Sequence, residues 1–308
     1  MLIKKLFISL IISFLFYNFS KSQEIIIASK VDNEIITNID VEIEKKYLLL
    51  LNNNLKELSE NEFFELAKSS LIREIIKKKE INKSFKKQNE KIKNKIIENF
   101  YNRLGFDNKN EFVKLLDNKN ISFESLKEKL MIEALWNQII FSKFNNKVRI
   151  DKNLIKKQII NYYNSKDKKY EYNLSEIVID IEKDVNSKKK EISKYIKQYG
   201  FKIAANKYSK SDTAKYGGEI GWIKSTRLSK NIKNQISKIK IGEITEPIQT
   251  SNRYLFLKLN DKREIKEKFD LEKELEQQII FEKNRQLNQF SLNYYKKLKK
   301  NINIYENK

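Results

Sequence analysis

After residue 22 the apolar positions fall first into a short β-branched run and then into helical spacing. Ile25 to Val31 is apolar, Asp32-Asn33 is a turn pair, and Glu34 to Thr37 is a short return strand. The pattern predicts a hairpin. Thr37-Asn38-Ile39-Asp40 places an acid three residues after a hydroxyl, which is a capping box for a helix over 39–51. Helices are expected next over 61–79, 89–104, 109–116, 122–144 and 151–163. Phe123, Leu126, Leu130 and Ala134 form one stripe at spacings of three and four. Ser122 and Asp151 stand where N-caps belong. These stripes predict core and suggest no chemistry.

The polar stretch around 164–172 breaks this texture. Beyond it, 173–180 reads as a strand, 184–199 and 201–208 as helices, 229–239 as a helix, and 244–249 and 254–259 as strands. Residues 264–300 return to helix, with Leu271, Leu275 and Ile279 and then Leu287, Phe290, Tyr294 and Leu298 in register. A helix of that length must bury its stripe against another element. The tail, Asn301 to Tyr305, reads as a strand able to pair with the Ile25–Val31 hairpin.

The fold class that follows is α+β. A mainly helical region, 23–165, opens with a hairpin. A compact α+β domain spans 170–263, and a C-terminal helix and strand, 264–308, pack back on the first region. Composition agrees: 308 residues carry one proline and six glycines, few turn-formers for so long a chain. Five of the glycines, and Pro247, lie between 200 and 247.

Lys4 and Lys5 precede an apolar run, Leu6 to Phe16, and Ser20-Lys21-Ser22 offers small residues for cleavage. Residues 1–22 read as a secretory signal cleaved after Ser22. A retained anchor is the alternative, although the run is short for a span. No cysteine is present, which excludes disulfides, thiolate metal sites and a lipoprotein anchor. Export without disulfides fits a bacterial periplasm, with no stable membrane span after cleavage.

The net charge is +22, but lysines alternate with glutamates along the helices instead of gathering in one stripe. A solvated surface is expected, not a nucleic-acid interface. With no histidine and no cysteine, Ser-His-Asp and Cys-His sites and the usual zinc sets are excluded. No GxxxxGK[ST] run and no DxDxDG-like loop occurs, so neither ATP, a metal nor another cofactor is expected.

Three glycines cluster in YSKSDTAKYGGEIGW, residues 208–222. The order YS, GGEIGW, a helix, IGEITEPIQT and RYLFLKLNDKR resembles a parvulin-type prolyl isomerase domain, with EYNLSEIVI at 171–179 as its opening strand. The whole chain, with its VDNEIITNIDVE opening, helical N-terminal region and returning helix, resembles SurA-type periplasmic chaperones, here with a single parvulin domain. The resemblance implies that the glycines turn the chain tightly into a central strand beside a substrate cleft. It implies that Ile220, Leu228 and Ile232, with Trp222 beside them, form the apolar pocket for a substrate proline ring.

The chain departs from the family where its two histidines usually stand: those positions are Glu176 and Leu255. A third polar position matches Ser211 or Asp212. Arg253 replaces a usual glycine. Prolyl isomerisation breaks no bond, and catalysis needs an apolar cleft and donors that favour the twisted amide. The resemblance therefore implies a chaperone that binds unfolded or extended polypeptides, outer-membrane protein precursors above all, with weak or absent isomerase activity. An active isomerase and an envelope interaction scaffold are the alternatives.

Overall fold

The computed structural model describes residues 24–84, 90–165, 168–181, 184–250, 253–265 and 269–306. The expected signal, residues 1–22, lies outside them, as does the first residue of the helix expected from 89.

The chain opens as the pattern predicts. Strands β1 (Ile27–Val31) and β2 (Glu34–Thr37) form an antiparallel hairpin. Helix α1 (Asn38–Leu51) starts from Thr37, whose hydroxyl accepts the Asp40 amide at 3.2 Å, while Asp40 Oδ2 accepts the Thr37 amide at 2.8 Å. The capping box is thus reciprocal. Helices α2 (Glu60–Ser84), α3 (Glu90–Arg103), α4 (Lys109–Asn118), α5 (Phe123–Phe144) and α6 (Lys152–Asn164) follow. Asn108, Ser122 and Asp151 each accept an amide hydrogen bond one turn into the helix that they cap.

The second region is built on four strands, β3 (Tyr170–Asp180), β4 (Glu219–Lys224), β5 (Ile248–Gln249) and β6 (Arg253–Glu264). Their order is β4-β3-β6-β5 and every pairing is antiparallel. Helices α7 (Val185–Tyr199) and α8 (Phe201–Tyr208) cover one face, where Ile177, Ile179 and Phe256 meet Ile192, Phe201 and Ala205. Leu174, Ile223, Leu228, Ile236, Ile248, Leu257 and Leu259 form a separate cluster on the other face, beside the short helix α9 (Lys230–Ile236).

Three sequence expectations need correction here. The strand that follows the glycines, β4, is an edge strand and not a central one among the described residues. The strand expected over 244–249 is reduced to Ile248–Gln249 plus a lone bridge between Ile244 and Lys258. Pro247 has no amide hydrogen to give a ladder, which is a physical reason for the interruption. Strands β3 and β6 reach into the expected polar break and past 259, pairing Tyr170 with Glu264.

Helix α10 (Leu271–Lys300) returns along the molecule, and β7 (Ile304–Glu306) pairs with β1, Val31 opposite Ile304, to make a sheet of order β2-β1-β7. The tail strand is where its apolar residues predict. Trp136 of α5 is fully buried against α10: it stacks on Tyr294 at 5.8 Å, and its indole donates to Ser291 Oγ at 2.8 Å. Phe144 stacks on Phe290 at 5.2 Å.

The helical region and the four-stranded region share a core. The cluster containing Val31, Phe112 and Leu126 runs without a gap into Ile177, Ile192 and Phe201. Polar links cross the same seam. Asn52 donates to Asn206 at 2.8 Å, Lys207 reaches Glu62 at 3.1 Å, and Lys215 lies 3.6 Å from Glu133. Despite the cost of burial, the charges of Lys77, Lys215 and Arg73 hold the Glu133 carboxyl down at about 2.

Candidate functional site

The site is assembled where the chain leaves α8. Ser209 Oγ accepts the Val178 amide at 3.1 Å, and the Lys210 amide donates to Val178 O at 2.7 Å. These two bonds fasten the loop to β3 and carry Ser211 to the side chain of Glu176. Ser211 Oγ lies 2.6 Å and Thr213 Oγ1 2.9 Å from Glu176 Oε1, and the two hydroxyls are 3.0 Å apart. Ser211 also caps the 3-10 turn Asp212–Tyr216.

Gly218 closes the other side. Its carbonyl accepts the Glu176 amide at 2.8 Å, and a Cβ at this position would lie 2.2 Å from Glu176 O. With φ at +78° as well, only glycine allows so close a backbone approach. That requirement accounts for part of the glycine cluster in physical terms.

Glu176 pairs across the sheet with Leu257, and Val178 with Leu255, so these four side chains share the face of the apolar cluster. Ile220, Ile232 and Leu255 are half-buried against that cluster and Leu228 is within it. The structure therefore brings together Glu176, Ser211, Leu255, Ile220, Leu228 and Ile232 on one face. It does not bring in Trp222, which neighbours Asn173 on the opposite face and carries the Arg263 guanidinium 4.2 Å from its ring. Asp212 makes no hydrogen bond to Glu176 and acts on it as a nearby like charge. Thr213 is the residue that sequence reasoning missed. The available signal was a second hydroxyl two positions after Ser211, flanking the acid.

Burial pushes the Glu176 carboxyl above its ordinary range. The Ser211 and Thr213 hydroxyls oppose this, and the Asp212 charge adds to it. A raised folded value means that the native state holds its proton at a pH where the unfolded chain has lost it. Stability from this group is therefore present below the ordinary value of 4.5 and falls as pH rises through the raised folded value. Glu176→Gln removes the titration. Urea denaturation at acidic and neutral pH should show the variant gaining on the wild type as pH increases; parallel pH profiles would contradict the assignment.

Chemically, the arrangement offers an apolar surface beside two hydroxyls and a carboxyl with enhanced proton affinity. It has no imidazole and no thiol. Such a set can hold an extended chain and donate a hydrogen bond to an amide whose resonance is weakened by twisting. Among the described residues no group of acids is placed to hold a metal ion.

The chain is similar to known proteins in two ways, by segment and by overall length. Residues 174–261 match the model of the rotamase family described as the PPIC-type PPIASE domain. The chain is 26% identical over 164 residues to Chaperone SurA of Pseudomonas putida, a match over 50% of this chain and 38% of that chaperone. It is 26% identical over 287 residues to Foldase protein PrsA 3 of Bacillus cereus, covering 90% of this chain and 86% of the foldase. A solved SurA-like chaperone of Campylobacter jejuni aligns over 92% of this chain and 99% of its own, with 16% identity and a TM-score of 0.38. The segment 174–261 thus belongs to the PPIC-type, or parvulin, prolyl isomerase family, set within a chain similar to SurA chaperones and PrsA foldases.

Proposed function

We propose that this protein is a chaperone of the bacterial periplasm that holds unfolded outer-membrane protein precursors, with a parvulin domain that binds proline-containing segments and isomerises them slowly or not at all. One observation carries the reading. The apolar face formed by Ile220, Leu228, Ile232 and Leu255 is retained, while the polar side of the site is a carboxyl with two hydroxyls and no imidazole. Apolar contact supports binding of an extended chain. The imidazole pair that the family usually offers to the rotating amide is replaced by Glu176 and a side chain with no polar atom, Leu255. In this reading 23–165 and 264–308 form the cradle and 170–263 the parvulin module. No helix among the described residues is long and apolar enough to cross a membrane.

The test is NMR exchange spectroscopy on a short X–Pro peptide with the full chain. Peptide resonances should shift on binding, and the shift should weaken in Ile220→Asp and Ile232→Asp, two half-buried positions. The cis–trans exchange rate should stay near its unaided value of tens to hundreds of seconds. Fast exchange that disappears in those variants would instead make the protein a histidine-free isomerase.

A further inference from the structure

The turn that carries the site's hydroxyls is fastened to β3 at both ends. Ser209 and Lys210 bond to Val178 on one side, and Gly218 O accepts the Glu176 amide on the other. Between them the chain makes one 3-10 turn, Asp212–Tyr216, closed by the Gly217 amide on Ala214 O at 2.9 Å and the Gly218 amide on Thr213 O at 2.9 Å. A 3-10 turn has poorer hydrogen-bond geometry than an α-helix, so its position depends on what surrounds it. Two of its residues reach the helical region. Lys215 Nζ lies 3.6 Å from Glu133 Oε2 on α5, and the Tyr216 ring carries the guanidinium of Arg103, from α3, at 5.7 Å.

Glu133 is itself fixed. Lys77 of α2 donates to both of its carboxylate oxygens, at 3.0 and 2.9 Å, and the Lys77 ammonium lies 5.6 Å from the ring of the buried Trp136. Arg73, one turn earlier on α2, adds its charge. Despite the cost of burial, these cations and Lys215 keep the carboxyl ionised, so its pull on Lys215 persists across ordinary pH. The Glu133 and Lys215 side chains are only 33% and 28% exposed, so solvent ions screen the pair less than one on the open surface. The same five-residue turn therefore meets Glu176 through Thr213 and Glu133 through Lys215.

We infer that Glu133 is a positioning residue for the cleft: by holding Lys215 it sets the 3-10 turn that places Ser211 and Thr213 on the Glu176 carboxyl, so that the helical region fixes how the parvulin module presents its polar groups to a bound chain. The consequence for a bound chain rests on the peptide-binding reading above, whereas the geometric part is read on Glu176 without a peptide. Two effects of removing the Glu133 charge have opposite signs. Through space alone, loss of a negative charge, with Lys215 and Lys77 left uncompensated, would lower the proton affinity of Glu176. A turn that drifts away withdraws the two hydroxyls that favour the ionised carboxylate, and the affinity rises. Asp212 rides on the same turn, but its charge acts on Glu176 less than the hydroxyls do.

The experiment follows the Glu176 carboxyl of the full chain by carbon-13 NMR titration, with the signal assigned by its loss in Glu176→Gln. Glu133→Gln should raise the titration midpoint by about half a pH unit or more. In a background carrying Ser211→Ala and Thr213→Ala the same substitution should no longer raise it, because the hydroxyls that it positions are gone. Lys215→Gln keeps Glu133 paired with Lys77 and serves where Glu133→Gln does not fold; its rise should likewise depend on the hydroxyls. Glu124→Gln, at the exposed start of α5, removes the same charge away from the turn and should leave the midpoint unmoved. A midpoint that does not rise, a rise that persists without the hydroxyls, or an equal rise in Glu124→Gln would each overturn the inference. With an X–Pro peptide, Glu133→Gln should weaken binding about threefold. Unchanged affinity would overturn the role in binding, whereas a wild type that binds no peptide would remove the peptide-binding reading and leave the Glu176 result standing.

Discussion

Gly218→Ala should unfold the parvulin module more readily than any other single-methyl substitution among the glycines of 217–221, and should cost about 3 kcal/mol or more. Two effects act at this position. The added Cβ would stand 2.2 Å from Glu176 O and 3.0 Å from Ala205 Cβ. The first neighbour is backbone, part of the strand β3 that carries the site, so it cannot swing aside as a side chain would. The second effect is the φ of +78°, which disfavours any residue with a Cβ. Gly221 separates the two. Its φ is +85°, but nothing lies within 4 Å of a Cβ built there. Gly221→Ala should therefore show only the left-handed cost, about 1–2 kcal/mol. Urea denaturation of both variants tests the difference. Losses equal within error would mean that the backbone contact with Glu176 contributes nothing. A native Gly218→Ala protein should also show a disturbed Glu176 environment, because the Gly218 carbonyl that accepts the Glu176 amide would have to move.

What could be read from the chain, and what could not, divides along the range of the interactions. The capping box of Thr37 and Asp40 and the caps at Ser122 and Asp151 are set by residues three positions apart, so their chemistry is visible in the sequence. The β7 strand was legible for a different reason: a short apolar tail after a long helix has few places to bury itself. The face shared by Glu176, Ser211 and Leu255 was reached only through family resemblance, since its members are far apart along the chain. Thr213 escaped because its role depends on a 3-10 turn that points two alternate hydroxyls at one carboxylate oxygen. Trp222 was placed with the pocket because it follows Gly221, but strand alternation and an irregular register near Ser175 turn it to the opposite face. The edge position of β4 and the seam uniting the two regions depend on packing between residues far apart along the chain, such as Glu171 with Lys224 and Asn52 with Asn206, for which no local pattern exists.

Trp136→Ala should be the most damaging substitution in the helical region, at about 3–5 kcal/mol. The indole is fully buried, so truncation leaves a large cavity between α5 and α10. It also removes the stack on Tyr294 and leaves the buried Ser291 hydroxyl without its donor. Ser291→Ala removes the hydrogen bond alone, leaving the indole N–H unpaired, and should cost about 1–3 kcal/mol. Trp136→Phe keeps an aromatic face for Tyr294 and should fall between the two alanine variants. The consequence reaches beyond stability. Helix α10 holds the ends of β3 and β6 through Asn293 and Lys296, and its own hold on α5 passes through Trp136, Phe144 and Phe290. Loosening that hold at a temperature where the protein remains folded should expose the C-terminal helix to protease before the four-stranded sheet. Hydrogen exchange should show the same order, with amides of 285–300 losing protection ahead of those in β3 and β6. Simultaneous loss in both regions would mean that the shared core makes them one cooperative unit. Trp136 would then stabilise the whole molecule and would not act as the local anchor of its returning helix.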